Sequence, residues 1–211
     1  MLYSILITVL TGYLLGNLNG SVCISQIVAH EDVRSRGSGN AGLTNFFRSY
    51  GGWNTLLVFL VDGLKAVLAC LIGGLLLKNE GASWSREGAI LGALVVSVGH
   101  DFPALLGFKG GKGIVCGFAV AIVNDWRVAL IILAIFVVTF AISRYVSLSS
   151  VLATIGFGIG FVVFHYNEPV TVVCSVLMAL LAIFMHRGNI KRLFKGTEKK
   201  VHLIHREKNK E

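Results

Sequence analysis

The feature that most constrains this sequence is a series of long apolar runs, separated by short polar stretches that hold most of its charge. Residues 56–77 contain only two charged side chains, Asp62 and Lys65. An apolar run of about 18 residues or more reads as a membrane-spanning helix, because a helix satisfies its own backbone where lipid offers no partner. Composition agrees. Only 14% of residues are charged and mean hydropathy is +0.75, whereas a soluble domain carries about 25% charged residues.

The pattern predicts an all-α integral membrane protein of about seven transmembrane helices, near residues 3–28, 54–77, 87–106, 112–124, 127–144, 147–166 and 169–186, with five or six spans as the alternative because 112–144 can be divided differently. The loops after the first, third, fifth and seventh spans hold Arg34, Arg36 and Arg48, then Lys109 and Lys112, then Arg144, then a basic tail. The alternate loops balance Lys78, Arg86 and Arg127 with Glu80, Glu87, Asp125 and Glu168. Positive charge stays on the cytoplasmic side, so the N-terminus is expected outside and the C-terminus inside. From His186 onward there are nine Lys or Arg against three Glu. That excess after a span fits anionic lipid headgroups better than nucleic acid. The expected organisation is one polytopic domain over 1–195 and a basic cytoplasmic tail over 196–211. The first apolar run has no preceding basic residue and reads as a retained helix rather than a secretory signal.

Four polar segments are expected to share the cytoplasmic side. The first, Arg36 to Arg48, contains Ser38, Gly39, Asn40, Gly42, Thr44 and Asn45. Glycines let backbone N–H groups approach an anion, and arginine adds a bidentate phosphate donor. The second is GHDFP followed by GFKGGKG over 99–113, with Lys109, Gly110, Gly111, Lys112 and Gly113 opening a helix whose N-terminus favours anions. Its spacing is one residue short of a nucleotide-binding P-loop, and Gly113 stands where the magnesium-binding hydroxyl would be. A phosphate site is therefore expected, without nucleotide. The third is RYVSLSS over 144–150, where Ser147 reads as a helix cap and Ser150 can reach a shared pocket. The fourth, HRGNIKRLFKGTE over 186–198, places His186, Asn189 and Arg192 on one helix face. Asp62 and Lys65, one helical turn apart, read as an intramembrane ion pair. Cys23, Cys70, Cys116 and Cys174 have no metal or redox spacing and read as small buried hydrophobes.

In order, spacing and side, these four motifs resemble the bacterial acyl-phosphate:glycerol-3-phosphate acyltransferase family over nearly the whole chain. The resemblance implies transfer of a fatty acyl group from acyl phosphate to the 1-hydroxyl of glycerol 3-phosphate in the bacterial inner membrane, facing the cytoplasm. The products are lysophosphatidic acid and phosphate, with no cofactor, metal or covalent acyl-enzyme. It implies catalytic roles for Ser38, Arg48, Lys112, His186 and Asn189. Phosphate binding is implied for Gly39, Asn40, Gly42, Thr44, Asn45, Lys109, Gly110, Gly111, Gly113, Ser150 and Arg192. Membrane lipid and the soluble enzyme that makes acyl phosphate are the implied partners. Three positions depart from the family: Gly188 replaces an acidic residue, Asn17-Leu18-Asn19 replaces a Ser-hydrophobic-Pro stretch, and Asp101 follows the motif histidine. Two acceptors are open for the hydroxyl proton, His186 and the oxygens of acyl phosphate. A transporter of phosphate or a small organic anion is the rival reading, although its polar groups would be expected near the bilayer midplane.

Overall fold

The structure, a computed structural model, describes residues 1–201. The C-terminal residues of the basic tail, including Arg206, Lys208 and Lys210, lie outside the described residues. All regular structure in the described chain is helical. The first apolar run forms α1 (Leu2–Asn17) and α2 (Gly20–Ala29), and the first polar loop ends in α3 (Leu43–Tyr50). α4 (Asn54–Lys78) and α5 (Ala82–Asp101) form a long hairpin. The remainder is α6 (Ile114–Asn124), α7 (Trp126–Ser143), α8 (Val146–Phe164), α9 (Pro169–Met185) and the short α10 (Arg187–Phe194).

Each of the seven expected spans is occupied by helix, with two differences. Five qualify as membrane spans by length and apolarity, counting α1 with α2, and six if α9 and α10, bent by 55°, count as one. α6 has only 11 residues, roughly 16 Å of helix against a hydrocarbon core of about 30 Å. It starts two residues later than expected because the glycine-rich loop continues through Gly113. The first span is broken at Leu18–Asn19. The Asn19 side chain accepts from Val22 N–H at 3.1 Å to start α2, and donates to the Ala41 carbonyl at 2.9 Å. This break accounts for the asparagines that depart from the family pattern. Asn17 likewise accepts from Leu105 N–H at 3.0 Å.

Asp62 and Lys65 stabilise the break from α4. Lys65 Nζ lies 2.8 Å from Asp62 Oδ1 and donates to the Leu18 carbonyl at 2.5 Å, while Asp62 accepts from Gly20 N–H at 3.0 Å. Lys65 also lies 2.8 Å from His100 Nδ1. The ammonium can only donate, so Nδ1 accepts and Nε2 carries the ring proton. An isolated charge at this depth is destabilising, whereas here both partners are hydrogen-bonded and almost fully buried.

Packing follows residue size. α1, α4 and α5 form one group, α7, α8 and α9 another, and α6 and the α5–α9 contact join them. Along α4 and α5, Gly73, Gly88 and Gly92 bring backbones together: a β-carbon on Gly88 would lie 2.2 Å from the Gly73 carbonyl oxygen. The joint core includes Ala66, Ile90, Val96, Val120, Val128 and Phe161. Leu64, Leu75, Leu130, Val138 and Ile159 are exposed on the outside, as lipid-facing residues should be. Cys70, Cys116 and Cys174 are buried as expected, but Cys23 is exposed on α2.

The passes alternate between two ends. At one end the Met1 ammonium pairs with Glu80 and Arg86 with Glu168, and His165 Nε2 lies 2.8 Å from Asp125 Oδ2. The four polar segments meet at the other.

Candidate active site

The four polar segments line one cavity of 1560 Å³. That exceeds the roughly 300–1,000 Å³ of most small-molecule sites. Its upper wall is polar and its lower wall is apolar, lined by Phe118, Ile132, Phe136, Phe157, Met178 and Met185.

The first loop is shaped by Asn45, at the start of α3. Its Nδ2 donates to the carbonyls of Val33, Arg36 and Asn40 at 3.0–3.1 Å, and its Oδ1 accepts from Ser38 N–H at 2.9 Å. Asn45 is thereby engaged with the loop, which it folds so that Ser38, Asn40, Gly42, Thr44 and Arg48 line the cavity. Arg34 ties this loop to the second one, donating to the carbonyls of Leu106 and Lys109 at 2.8 and 3.1 Å while paired with Asp32.

The glycine-rich loop divides into two parts. Lys112, Gly113 and the first turn of α6 line the cavity. Gly113 has φ +68°, a left-handed conformation that favours glycine, and it turns the chain into α6. The unpaired N–H groups of that first turn add partial positive charge beside Lys112. Gly110 and Gly111 do not line the cavity. Their N–H groups donate to the carbonyls of Asp101 and His100 at 3.2 and 3.0 Å, so the anion-binding role expected of them is corrected to a packing role. A β-carbon on Gly111 would meet His100 Nε2 at 2.1 Å. Lys109 is exposed and Gly39 also lies off the cavity wall, so neither meets its expected placement. The chain turns outward at Gly107 and Phe108, both with positive φ, and carries Lys109 with it.

The last two segments close the site. Ser150 faces the cavity from the first turn of α8. Lys112 Nζ donates to the Asn189 side-chain oxygen. Asn189 Nδ2 and Arg192 Nε each donate to the Glu198 carboxylate at 2.7 Å. Burial works to raise the Glu198 pKa, but the hydrogen bonds from Asn189 and Arg192 outweigh it and hold the carboxyl below its usual range. Residues 197–201 lie across the cavity mouth, pinned by Arg48 to the Lys199 carbonyl at 3.1 Å and by Val201 N–H to the Arg144 carbonyl at 3.0 Å. His186 is 3% exposed, and its Nδ1 lies 2.8 Å from the Ala182 carbonyl. The carbonyl only accepts, so Nδ1 carries the proton and Nε2 is the free acceptor of the neutral ring.

Twelve of the sixteen expected site residues therefore line the cavity. Glu198 and Asp101 line it as well and were not selected from sequence. An acid inside an otherwise basic motif, and a charge closing an apolar span, were the available signals. Among the described residues, no three His, Cys, Asp or Glu side chains are grouped to hold a metal.

Burial lowers the Lys112 pKa from 10.5 to about 8, with Arg192 and Arg48 pushing the same way and Glu198 and Asp101 opposing. The ammonium is fully charged below that value and is lost as pH rises through it. KM for a phosphate-bearing substrate is therefore expected to climb toward tenfold per pH unit above about 8. In Lys112→Arg the guanidinium does not titrate, so the KM profile should flatten there. An unchanged alkaline limb in that variant would assign the effect to another group.

A protein-family model described as glycerol-3-phosphate acyltransferase matches residues 6–196. The glycerol-3-phosphate acyltransferase of Clostridioides difficile (strain 630) is 38% identical over 200 residues, covering 95% of this chain and 97% of that protein. That of Thermoanaerobacter sp. (strain X514) is also 38% identical over 200 residues, covering 95% and 96%. The crystal structure of PlsY (YgiH), an integral membrane glycerol 3-phosphate acyltransferase in its glycerol 3-phosphate form, superposes with a TM-score of 0.85. It is 33% identical, covering 94% of this chain and 96% of that one. Its lysophosphatidic acid form gives 0.80 at 32% identity over the same shares.

Proposed function

Because this chain belongs to the glycerol-3-phosphate acyltransferase family, we propose that it transfers a fatty acyl group from acyl phosphate to the 1-hydroxyl of glycerol 3-phosphate. The single observation that carries this reading is a cluster of cations, Arg48, Lys112 and Arg192, at the head of an apolar groove. Both substrates bear phosphate, and one also bears a tail. The polar wall suits the two phosphates, and the lower wall between α6, α7, α8 and α9 suits the tail. Along α8 the lining runs from Ser150 to Phe157 and along α9 from His186 to Met178. At 1.5 Å per residue this is roughly 10–12 Å, most of the roughly 15 Å depth of one leaflet.

In the proposed reaction the 1-hydroxyl oxygen attacks the acyl carbonyl, the carbonyl–phosphate bond breaks, and inorganic phosphate leaves. Acyl phosphate is a mixed anhydride with a good leaving group, so direct transfer needs no acyl-enzyme. Ser38, Arg48 and Lys112 hold phosphate and offset the charge that develops. Asn189 and Arg192 bind alongside them. His186 Nε2 is placed to accept from a glycerol hydroxyl, and Asn45 positions the loop that carries Ser38. The excess of Arg and Lys at the site end supports a cytoplasmic orientation in a bacterial inner membrane. It would receive acyl phosphate from the soluble enzyme that makes it, and membrane lipid takes the product.

Incubation of the purified protein with acyl phosphate and radiolabelled glycerol 3-phosphate should yield labelled lysophosphatidic acid. Product from acyl thioester alone would overturn the donor assignment. No product, with anion uptake into proteoliposomes, would favour a transporter.

His186→Gln should lower kcat/KM at least tenfold. A fall confined to kcat assigns the proton to His186 Nε2, and a raised KM with normal kcat assigns it to the oxygens of acyl phosphate.

A further inference from the structure

Asp101 closes α5 where that helix meets the cavity, and the residue is 1% exposed. It lines the cavity beside Lys112 and Gly113, yet its Oδ1 has no hydrogen-bond partner among the described residues. The neighbouring ammonium hydrogen bonds run elsewhere: Lys112 donates to Asn189, and Lys65 to Leu18 and His100. A β-carbon on Gly113 would stand 3.4 Å from Oδ1, so glycine at this position keeps the start of α6 from packing a side chain against the buried oxygen. A buried acceptor without a donor is destabilising, and one on the wall of a binding cavity is accounted for when a ligand supplies the donor.

The donor inventory of the two substrates narrows the choice. Above the second phosphate pKa of about 6, neither acyl phosphate nor the phosphate of glycerol 3-phosphate offers a proton to donate. The only donors are the two glycerol hydroxyls. An acceptor oxygen gains nothing from a fully ionised phosphate, which has no proton to donate, so within a polar wall built largely of cations Asp101 marks the place of the glycerol end. We propose that Asp101 is a specificity residue whose Oδ1 accepts a hydrogen bond from a hydroxyl of glycerol 3-phosphate. This deepens the acyl-acceptor reading above and rests on it.

The competing role is a plain counter-charge to Lys65 and Lys112. It has a different signature, because a counter-charge affects every phosphate ligand alike. Calorimetric binding of glycerol 3-phosphate, 2-hydroxypropyl phosphate (no 1-hydroxyl) and 3-hydroxypropyl phosphate (no 2-hydroxyl) to the purified full-length protein separates the two. In the wild type, loss of the contacted hydroxyl should weaken binding about tenfold or more, as expected for a hydrogen bond to a charged group. In Asp101→Ala that penalty should shrink to within about threefold of unity, and the analogue that keeps its ratio identifies the hydroxyl not contacted. Asp101→Asn, which keeps the shape and an oxygen but not the charge, should fall between the two. It carries the test if the alanine variant fails to fold, as judged by thermal unfolding in detergent. Uniform weakening of all three ligands with unchanged ratios would overturn the proposal, as would a wild type that ignores both hydroxyls. Binding that reads a hydroxyl, without formation of lysophosphatidic acid, would sink the acyl-transfer reading and leave the role of Asp101 standing.

Discussion

Lys112→Met is expected to lower kcat/KM for glycerol 3-phosphate by about 10²–10³-fold, the usual effect of removing one preorganised electrostatic group from a site where charge develops. Methionine fills the volume of the lysine stem, so the change isolates the ammonium. That ammonium is half-buried at the mouth of α6, donates to Asn189, and shares the cavity with Arg48 and Arg192. No other lysine on this loop can replace it. Lys109 is exposed and off the cavity wall, and Lys109→Met is expected to change kcat/KM by less than about threefold, as a charge at the solvated rim does. Steady-state kinetics on the two variants, with thermal unfolding to confirm the fold, tests the assignment. Equal effects would show that the lysines act through overall charge rather than through position.

The largest effect on stability is expected at the α4–α5 contact. A β-carbon on Gly88 would lie 2.2 Å from the Gly73 carbonyl oxygen and 2.9 Å from Leu77 Cβ, and one on Gly92 would lie 2.2 Å from the Ala69 carbonyl oxygen. Both close contacts are with backbone, which cannot move aside as a flexible side chain does. Helix pairs in lipid associate through such close approach, having little hydrophobic drive between them. Gly88→Val should therefore destabilise the protein by roughly 3 kcal/mol or more, lowering Tm in detergent by roughly 10 °C. Gly63→Ala on the same α4 is the control, because nothing lies within 4 Å of its added methyl. It should be neutral or stabilising by up to about 1 kcal/mol. A Gly88→Val protein that melts with the wild type would mean that α4 and α5 do not pack this closely.

Most helices were legible because apolar length is a local property. The boundaries that shifted did so for tertiary reasons. Asn17 and Asn19 interrupt the apolar run of residues 3–28, but the ammonium that holds the Leu18 carbonyl at the break belongs to Lys65, far along the chain. The start of α6 was misplaced because Lys112 and Gly113 can open a helix locally but instead serve the cavity wall. Within the site, glycine density correctly marked a loop that packs tightly. It did not reveal which amides would remain free. Gly110 and Gly111 look like an anion nest until His100 and Asp101 are seen to accept their protons. Asn45 reads as a ligand group by type, and only the folded loop shows its amide bound to three carbonyls.

Two determinations thus belong to the sequence by itself. The spacing of apolar runs dictates an all-helical membrane protein, since only helices spare lipid the unpaired backbone groups of such runs. The charge on alternate loops gathers the anion-suited segments at one end. What only the tertiary structure decided is which residues of those segments face one another. Lys112, Asn189, Arg192 and Glu198 meet over the cavity, while Lys109, three residues from Lys112 in the same glycine-rich loop, turns away. Residue type and spacing set the charge available to a site. The direction in which each side chain points depends on long-range backbone contacts, and those form only when the helices pack.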